Sequence, residues 1–404
     1  MPDSVFVNLP DPNLGDASLD SMAGSVILSA ARTPFGRFGG GLRKYSAVDL
    51  GAAAARETIV RSKIDPGAVD YVVMGQVIQA GAGQIPSRQV QVAAGLDRSI
   101  GSETINKVCA SGMRAVTLAD QMIRAGDYDV VLAGGMESMT NAPYLLPQAR
   151  FGYKYGNAEF VDALIRDGLS STFDGLHMVE QASKVSRELE ITREDQDAWA
   201  LRSHERAIAA QESGALSDEI VQVGEVEHDE APRADTSIEK LARLDPVFDP
   251  GGTTTAGNAP GLNDGAAALL VASETWAEAN GHTPLAKIVG TGVAADDFAY
   301  LARTPALAAQ KTLESTGVSI DQVDRIEINE AFASVAVHSH RLLGADSTRV
   351  NVNGGAIALG HPIGASGARL LVTLVHELRR AGGRLGLAAI CSGGGQGDAV
   401  LLEV

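Results

Sequence analysis

The 404-residue chain contains two cysteines, Cys109 and Cys391, and each lies in a short glycine-containing motif. Cys109 belongs to Asn-Lys-Val-Cys-Ala-Ser-Gly at 106–112, and Cys391 opens Cys-Ser-Gly-Gly-Gly-Gln-Gly at 391–397. A thiolate is a good nucleophile for an acyl carbonyl, and a second thiol could exchange a proton at carbon. The two motifs therefore predict a covalent enzyme in which one sulfur attacks and the other acts as acid or base.

A candidate base lies between the two motifs. His361 is flanked by Gly360 and Pro362 within the glycine-rich segment 353–367. Dense glycine indicates close approach of the backbone to a ligand or to another segment. A neutral imidazole there could accept the proton of Cys109. Taken alone, the histidine could equally fill a turn, and a free cysteine is often only a small buried hydrophobe.

The neighbouring sequence indicates which elements hold these residues. Cys109 precedes a helical pattern, and a helix N-terminus would favour its thiolate form. Cys391 ends an apolar strand and begins a Gly-Gly-Gly turn, whose N–H groups could form an oxyanion hole. Asn329 follows the strand pattern 326–328 and could orient a water or a carbonyl. Glu330 is expected either to fix a histidine tautomer or to cap the following helix.

The chain also repeats itself at an offset of about 255 residues. Ser-Gly-Met-Arg at 111–114 and Ser-Gly-Ala-Arg at 366–369 each begin a helical pattern, which ends in Arg-Ala-Gly and is followed by an apolar strand. Alternating strand and helix patterns predict helices that cover a mostly parallel sheet. By position, the strand candidates 26–30 and 71–74 correspond to 287–290 and 325–328.

Residues 145–264 do not follow the repeat and are richer in charge, which predicts an insertion folded over the first half. The predicted organisation is a flexible extension at 1–23, a first half from 24–144 plus 265–285, the insertion, and a second half at 286–404. The extension has no basic residue and no apolar core, so we do not expect a secretory signal or a transit peptide.

Composition narrows the classes of function. The net charge of −17 argues against nucleic acid and anionic membranes as partners. Arg233, Lys240 and Arg243 are candidates for a local basic patch if the substrate is an anion. No apolar run approaches the roughly 18 residues of a membrane span. Two distant cysteines do not resemble a disulfide framework, so we expect a reducing, cytoplasmic setting.

Taken together, these motifs resemble the thiolase family, from about residue 24 to the end of the chain. The resemblance implies an α/β protein with a duplicated, five-layered α/β/α/β/α fold and an inserted loop domain. Each motif alone is a weak signal, but their order and spacing are specific. The matching motifs lie at 106–112, 134–139, 255–258, 263–267, 329–332, 360–362 and 391–395.

By the same resemblance, Cys109 is the nucleophile that becomes acyl-cysteine, and His361 activates it. Cys391 exchanges the proton at the α-carbon of the second acyl group. Asn329 holds a water that forms one oxyanion hole with His361, and the N–H groups of Cys109 and Gly393 form the other. The implied reaction is a ping-pong Claisen condensation of two acetyl-CoA to acetoacetyl-CoA and CoA, or its reverse. Coenzyme A and acyl-CoA are substrates, and no metal or other cofactor is expected.

The substrate-binding residues are inferred in the same way. His177 and Met178 resemble the pair found in thiolases of short-chain, acetoacetyl-CoA type, where the methionine narrows the acyl pocket. Arg233, Ala256 and Pro260 match positions that contact coenzyme A. Pro260 stands where the family usually has a serine, and proline cannot supply that hydroxyl.

Other readings stay open from the sequence. The first is a longer-chain 3-ketoacyl-CoA thiolase of fatty-acid breakdown, with the same chemistry. The second is a non-catalytic paralogue that binds acyl-CoA. A Cys-His-Asn hydrolase would fit the residue types but would not need Cys391. The resemblance further implies a role in fatty acid metabolism and a homodimer or homotetramer, with tetramers built through the inserted region.

Overall fold

The computed structural model describes residues 24–404, so the predicted extension at 1–23 lies outside the described residues. The strands are β1 (Ser25–Arg32), β2 (Gly36–Arg37), β3 (Tyr71–Gly75), β4 (Gly101–Ile105), β5 (Val130–Ser138), β6 (Tyr144–Leu145), β7 (Val161–Asp162), β8 (Asn263–Ser273), β9 (Ala286–Ala295), β10 (Arg325–Ile328), β11 (Leu385–Ser392) and β12 (Gln396–Glu403). The helices are α1 (Ala47–Ser62), α2 (Pro86–Ala93), α3 (Ser111–Ala125), α4 (Met178–Glu188), α5 (Arg193–Glu212), α6 (Ile238–Ala242), α7 (Glu274–Ala279), α8 (Thr304–Thr316), α9 (Ala333–Leu343), α10 (Ala356–Leu359) and α11 (Ser366–Ala381).

The strand pairing repeats between the two halves. In the first half the order is β1-β8-β5-β3, and in the second half it is β9-β12-β11-β10. Each pairing also has the same direction in both halves: antiparallel, antiparallel, then parallel. The predicted correspondence of β1 with β9 and of β3 with β10 is confirmed. Pairing of β1 with β9 joins the halves into one ten-stranded sheet.

The expectation of a mostly parallel sheet is wrong, because antiparallel pairs predominate in the main sheet. The turn that begins at Gly393 explains this for the second half. A short turn can only return a strand antiparallel to its neighbour, whereas a parallel strand needs a long crossover. In the first half the inserted segment lies between β5 and β8 and takes the place of that turn.

The helices form three layers around the two halves of the sheet. Helices α1 and α2 cover the outer face of the first half, and α8 covers the outer face of the second, with α9 packed on α8 and β10. Helices α3 and α11 lie in the middle, where they pack against each other and against strands of both halves. The order of layers is α/β/α/β/α, as predicted. Burial of apolar surface between these layers provides the main stabilisation.

The two central helices approach closely at one glycine each. A methyl group added at Gly112 would lie 2.8 Å from the backbone nitrogen of Ala368. One added at Gly367 would lie 2.5 Å from a backbone nitrogen of α3. Only glycine allows this contact, since real side-chain carbons do not approach so closely. The contact lies at the N-terminal ends of both helices, and it sets Cys109 beside the loop of His361.

The inserted region contacts both halves and not only the first, which corrects the expectation. Helix α5 packs on α9 and α10 of the second half. Buried Arg32 of β1 holds the other side of the insertion, with 2.6 and 2.8 Å bonds to Asp229 and an ion pair to Glu219. No helix in the described part of the chain is long and apolar enough to cross a membrane.

We expect Arg32→Met to destabilise the protein by about 3–5 kcal/mol, because it leaves two buried carboxylates without their counter-charge. The matched control is Lys240→Met, which removes an exposed ion pair with Asp235 and should cost about 0–1 kcal/mol. Thermal unfolding followed by circular dichroism compares the two. Equal, small shifts would show that the Arg32 pair does not hold the insertion in place.

Candidate active site

Cys109 lies in a tight turn directly before α3. Val108, the residue before it, has a φ of +45°, a left-handed conformation that is costly for a β-branched residue. Two contacts from the second half hold this turn: Lys107 pairs with Asp398 at 2.7 Å, and the Ser392 hydroxyl donates to the Lys107 carbonyl. The predicted position of Cys109 near a helix N-terminus is confirmed.

The ionisation of Cys109 differs from the expectation. Burial raises the pKa of the thiol to about 12, while the backbone N–H groups of Cys109 and Gly393 act in the opposite direction. The expected lowering of the pKa is therefore wrong, because desolvation of the thiolate outweighs the helix N-terminus. Cys109 rests as a thiol, and its nucleophilic use requires a base. The same two N–H groups are directed at the sulfur, where an acyl oxygen would need donors.

His361, the candidate base, lines the same cavity as Cys109. Its Nδ1 lies 2.6 Å from the hydroxyl of Ser366, and that hydroxyl donates to the carbonyl of Pro362 at 2.9 Å. The hydroxyl proton is thus used, so Nδ1 donates its own proton to Ser366 and Nε2 carries the lone pair. Nε2 has no partner within residues 24–404. Burial, with the charge of Arg369, lowers the histidine pKa to about 3, which keeps the imidazole neutral.

Glu330 has neither of the roles expected for it. Its carboxylate accepts from Trp199 Nε1 at 2.8 Å, Ser203 Oγ at 2.7 Å and Asn351 Nδ2 at 2.9 Å. It also accepts from the backbone N–H of Ile357, at the start of α10. The tautomer of the active-site histidine is fixed by a serine instead. Glu330 therefore connects the insertion, through Trp199 and Ser203, to the loop that precedes His361.

Asn329 is fully buried at the end of β10, and its amide nitrogen and oxygen both lack partners within the described residues. Its backbone N–H donates to the carbonyl of Ala389, which fixes the main chain. A buried amide with both groups free suits an ordered water or a substrate oxygen. The prediction that Asn329 orients a water stays a prediction.

Cys391 lies at the end of β11 and is fully buried. Burial raises its pKa well above the ordinary value, and the charge of a Cys109 thiolate would raise it further. Both cysteines are free thiols. Met178 and Phe332 pack in the same apolar cluster as Cys391, so the region beside the second thiol excludes water.

Half of the predicted site residues line an inner cavity of about 370 Å³. Apart from these residues and Asp162 the wall is apolar, and it includes Phe38, Leu164, Leu169, Phe248 and Phe332. The ring of Phe248 lies 4.5 Å from the imidazole of His177, between ring centres. The predicted residues that line this cavity are Cys109, His361, His177, Met178 and Pro260.

An outer cleft of about 520 Å³ adjoins the inner cavity, and the two share Phe38 and the segment at Ala259, Gly261 and Leu262. Arg233 and Ala256 line this cleft, as the resemblance implied for the coenzyme A site. Lys240 also lines it, whereas the third predicted cation, Arg243, is not among the lining residues. The cleft further contains Arg37 and His204.

Some functional residues were missed from the sequence. Ser366 belongs to the repeated Ser-Gly-X-Arg motif, and its partner Ser111 makes the same kind of bond, from its hydroxyl to the carbonyl of Val108. That repeat was the available signal for a serine that stabilises each catalytic turn. Asn263 accepts from the backbone N–H of His361 at 2.9 Å. Arg37 gave a weaker signal, as a basic residue among glycines.

Comparison with known proteins agrees with this geometry. The model of the thiolase N-terminal domain matches residues 25–275, and that of the thiolase C-terminal domain matches 282–404. An acetyl-CoA acetyltransferase of Escherichia coli is 49% identical over 391 residues, covering 95% of this chain and 99% of the relative. A probable acetyl-CoA acetyltransferase of Mycolicibacterium smegmatis is 47% identical over 390 residues, covering 94% and 100%.

The same holds for solved structures. The crystal structure of the Bacillus anthracis acetyl-CoA acetyltransferase superposes with a TM-score of 0.92 at 42% identity, covering 95% of this chain and 99% of that one. Fold and sequence thus define an acyl-transferring enzyme. The chain belongs to the thiolase family.

We expect Ser366→Ala to lower kcat by about 10²-fold, because His361 loses the acceptor that fixes its tautomer and orientation. Ser339→Ala is the control, since Ser339 is also a buried helical serine that donates to a backbone carbonyl, at 2.9 Å from that of Ala302. Steady-state kinetics of both variants, with thermal unfolding as a check on folding, test this. Equal activity of the two variants would contradict the assigned tautomer.

Proposed function

We propose that this protein is an acetyl-CoA C-acetyltransferase, which joins two acetyl-CoA into acetoacetyl-CoA and CoA and also runs the reverse thiolysis. The observation that carries the proposal is that one apolar cavity is lined both by a buried thiol, Cys109, and by His361, whose Nε2 has no partner within residues 24–404. A second buried thiol, Cys391, packs with Met178 and Phe332, which line the same cavity. The printed names of the relatives support the same reaction.

In the first half-reaction, Cys109 Sγ attacks the thioester carbon of acetyl-CoA while His361 Nε2 takes the thiol proton. The carbon–sulfur bond to coenzyme A then breaks, and the leaving thiolate takes the proton of Cys391, so Cys391 becomes a thiolate while His361 keeps the proton of Cys109. The acyl oxygen of the resulting acetyl-cysteine accepts from the N–H groups of Cys109 and Gly393. Preorganised donors of this kind are worth about 10²–10³ in rate each.

In the second half-reaction, the thiolate of Cys391 removes a proton from the methyl carbon of a second acetyl-CoA. The carbanion attacks the acetyl-cysteine carbonyl, a carbon–carbon bond forms, and Cys109 leaves as a thiolate. Asn329 and His361 hold the thioester oxygen of the second substrate, on which the enolate charge develops. His361 returns the proton of Cys109 to the leaving thiolate, and Cys391 keeps the proton taken from carbon, which restores both thiols and the neutral imidazole. Two separate oxyanions require two separate sets of donors.

Coenzyme A would occupy the outer cleft and reach the inner cavity along the shared segment. Arg37, Arg233 and Lys240 supply positive charge for its phosphates, against the net charge of −17 of the whole chain. Pro260 lines the inner cavity and can contact the pantetheine arm only through its ring. Affinity for coenzyme A therefore depends on the apolar wall and on the basic cleft.

The preference for a two-carbon acyl group follows from Met178. This side chain is 7% exposed, lines the inner cavity, and packs in the cluster that contains Cys391. It therefore occupies the space beside the second thiol, into which a longer acyl chain would extend. A role in fatty acid metabolism at the level of acetoacetyl-CoA is part of the proposal.

We also propose a homotetramer or homodimer in the cytoplasm. Large apolar side chains of the insertion are exposed and do not line the cavity, among them Phe151 at 86%, Tyr155 at 102% and Phe160 at 70%. Exposed aromatic groups at this density are typical of a surface that another subunit covers. Two free thiols that must stay reduced for catalysis fit a reducing compartment.

CoA-dependent thiolysis of acetoacetyl-CoA, 3-oxohexanoyl-CoA and 3-oxooctanoyl-CoA tests the proposed function. We expect a clear preference for acetoacetyl-CoA, no turnover by Cys109→Ala, and faster turnover of the longer substrates by Met178→Ala. Equal or better turnover of the longer substrates by the natural protein would move the assignment to a degradative 3-ketoacyl-CoA thiolase. Absence of any turnover that depends on Cys109 would leave an acyl-CoA-binding protein.

A further inference from the structure

One buried ion pair next to the active site has no part in the mechanism above. Arg369, on α11, donates from Nη1 to Glu327 Oε2 of β10 at 2.9 Å, and both side chains are buried, with Arg369 at 0% exposure. The Nε and Nη2 groups of Arg369 have no partner within residues 24–404. A buried pair with donors left unsatisfied stabilises a fold less than apolar side chains of similar size would. A contribution to folding stability therefore does not explain why the Arg369–Glu327 pair is present.

The duplication of the fold supplies a comparison. Arg114 is the repeat-related arginine on α3, but it is partly exposed, and within residues 24–404 its side chain donates to Thr117 and Gln121 of its own helix. The facing positions of β3 include Val73, which packs in the central apolar cluster, and Gly75, which lies against the start of α3. The first half thus builds the same strand and helix without a buried charge pair. The pair is a property of the half that carries His361.

The two partners lie close to two active-site groups. Arg369 is three residues after Ser366 on α11, about one helical turn away. Ser366 is the residue that holds His361 Nδ1. Glu327 is two residues before Asn329, so both side chains point to the same face of the extended chain.

We propose that the Arg369–Glu327 pair is a positioning element of the active site. By joining α11 to β10 at this point, it sets His361 and Asn329 at the separation at which both reach one thioester oxygen. The inference rests on the proposed function, because it assigns the pair to the second oxyanion site. Displacement of catalytic groups by about 1 Å costs roughly 10² in rate, so a pair that fixes their separation has a large effect.

Through the charge of Arg369, the positioning role also predicts a change in the pH dependence of the reaction. That charge contributes to the low pKa of His361, while Glu327 is the counter-charge and has its own pKa raised to about 8 by burial. Removal of Arg369 should raise the histidine pKa and so move the acid limb of kcat/KM to higher pH, since the base must be neutral. Removal of Glu327 should not move the acid limb of kcat/KM to higher pH. The other charged groups that act on Glu327 and its surroundings are Glu219, Glu330 and Arg206.

The test compares Arg369→Met, Glu327→Gln and the double variant Arg369→Met/Glu327→Leu with the control Arg325→Met. The control breaks another ion pair between the same two elements, Arg325 to Glu377 at 2.9 Å, eight residues further along α11. The double variant leaves no buried charge unpaired, so we expect it to fold. Thiolysis of acetoacetyl-CoA is measured across pH, with circular dichroism to confirm folding.

We expect kcat to fall about 10²-fold in the double variant and in each single variant that folds, with KM for CoA little changed. The control should keep the kcat and pH profile of the natural protein. Arg369→Met should move the acid limb upward, and Arg369→Lys should restore part of the rate. A folded double variant with the activity of the control would overturn the inference. If the natural protein itself shows no thiolysis, the proposed function fails and not the positioning role.

Discussion

The close approach of α3 and α11 is the contact on which the rest of the structure depends. Gly112 and Gly367 occupy repeat-related positions, and each allows the other helix to approach to a distance that a side chain would prevent. The turn that contains Cys109 leads into α3, and the loop that contains His361 leads into α11. In the proposed mechanism the nucleophile lies on the first half and the base on the second, so the reaction requires that the halves meet at this point. Apolar packing of the layers on both sides of α3 and α11 keeps the two helices in contact.

Burial then determines the charge state of the site. The same desolvation raises the pKa of Cys109 to about 12 and lowers that of His361 to about 3, so thiol and imidazole both rest neutral. A thiolate–imidazolium pair formed before substrate binds would be hydrated, which would lower the nucleophilicity of the thiolate. A neutral thiol–imidazole pair separates charge only when substrate is bound. The negative charge then develops on a substrate oxygen that accepts hydrogen bonds from preorganised N–H groups. Closure of the cavity by apolar side chains therefore contributes to the chemistry as much as the reactive groups do.

The sequence predicted the parts of this site that depend on short motifs and on the repeat. The strand correspondence and the position of Cys109 before a helix follow from local patterns, whereas the five-layered fold was implied by the resemblance of the motifs to a family; the structure confirms all three. The thiol pKa was predicted in the wrong direction, because a helix N-terminus is visible in sequence and the depth of burial is not. The role of Glu330 could not be predicted either, since its partners Trp199 and Ser203 are more than a hundred residues away in the chain.

Duplication explains why the site is asymmetric although the fold is not. Both halves retain the serine that bonds back to the preceding turn, Ser111 in one and Ser366 in the other. In the proposed mechanism, the bond in the first half supports a nucleophile, which needs only a rigid turn and free N–H groups. In the second half it supports a base, whose tautomer and charge must also be controlled. The additional demand accounts for the further buried polar groups around His361, from Asn263 to Arg369, in an otherwise apolar layer.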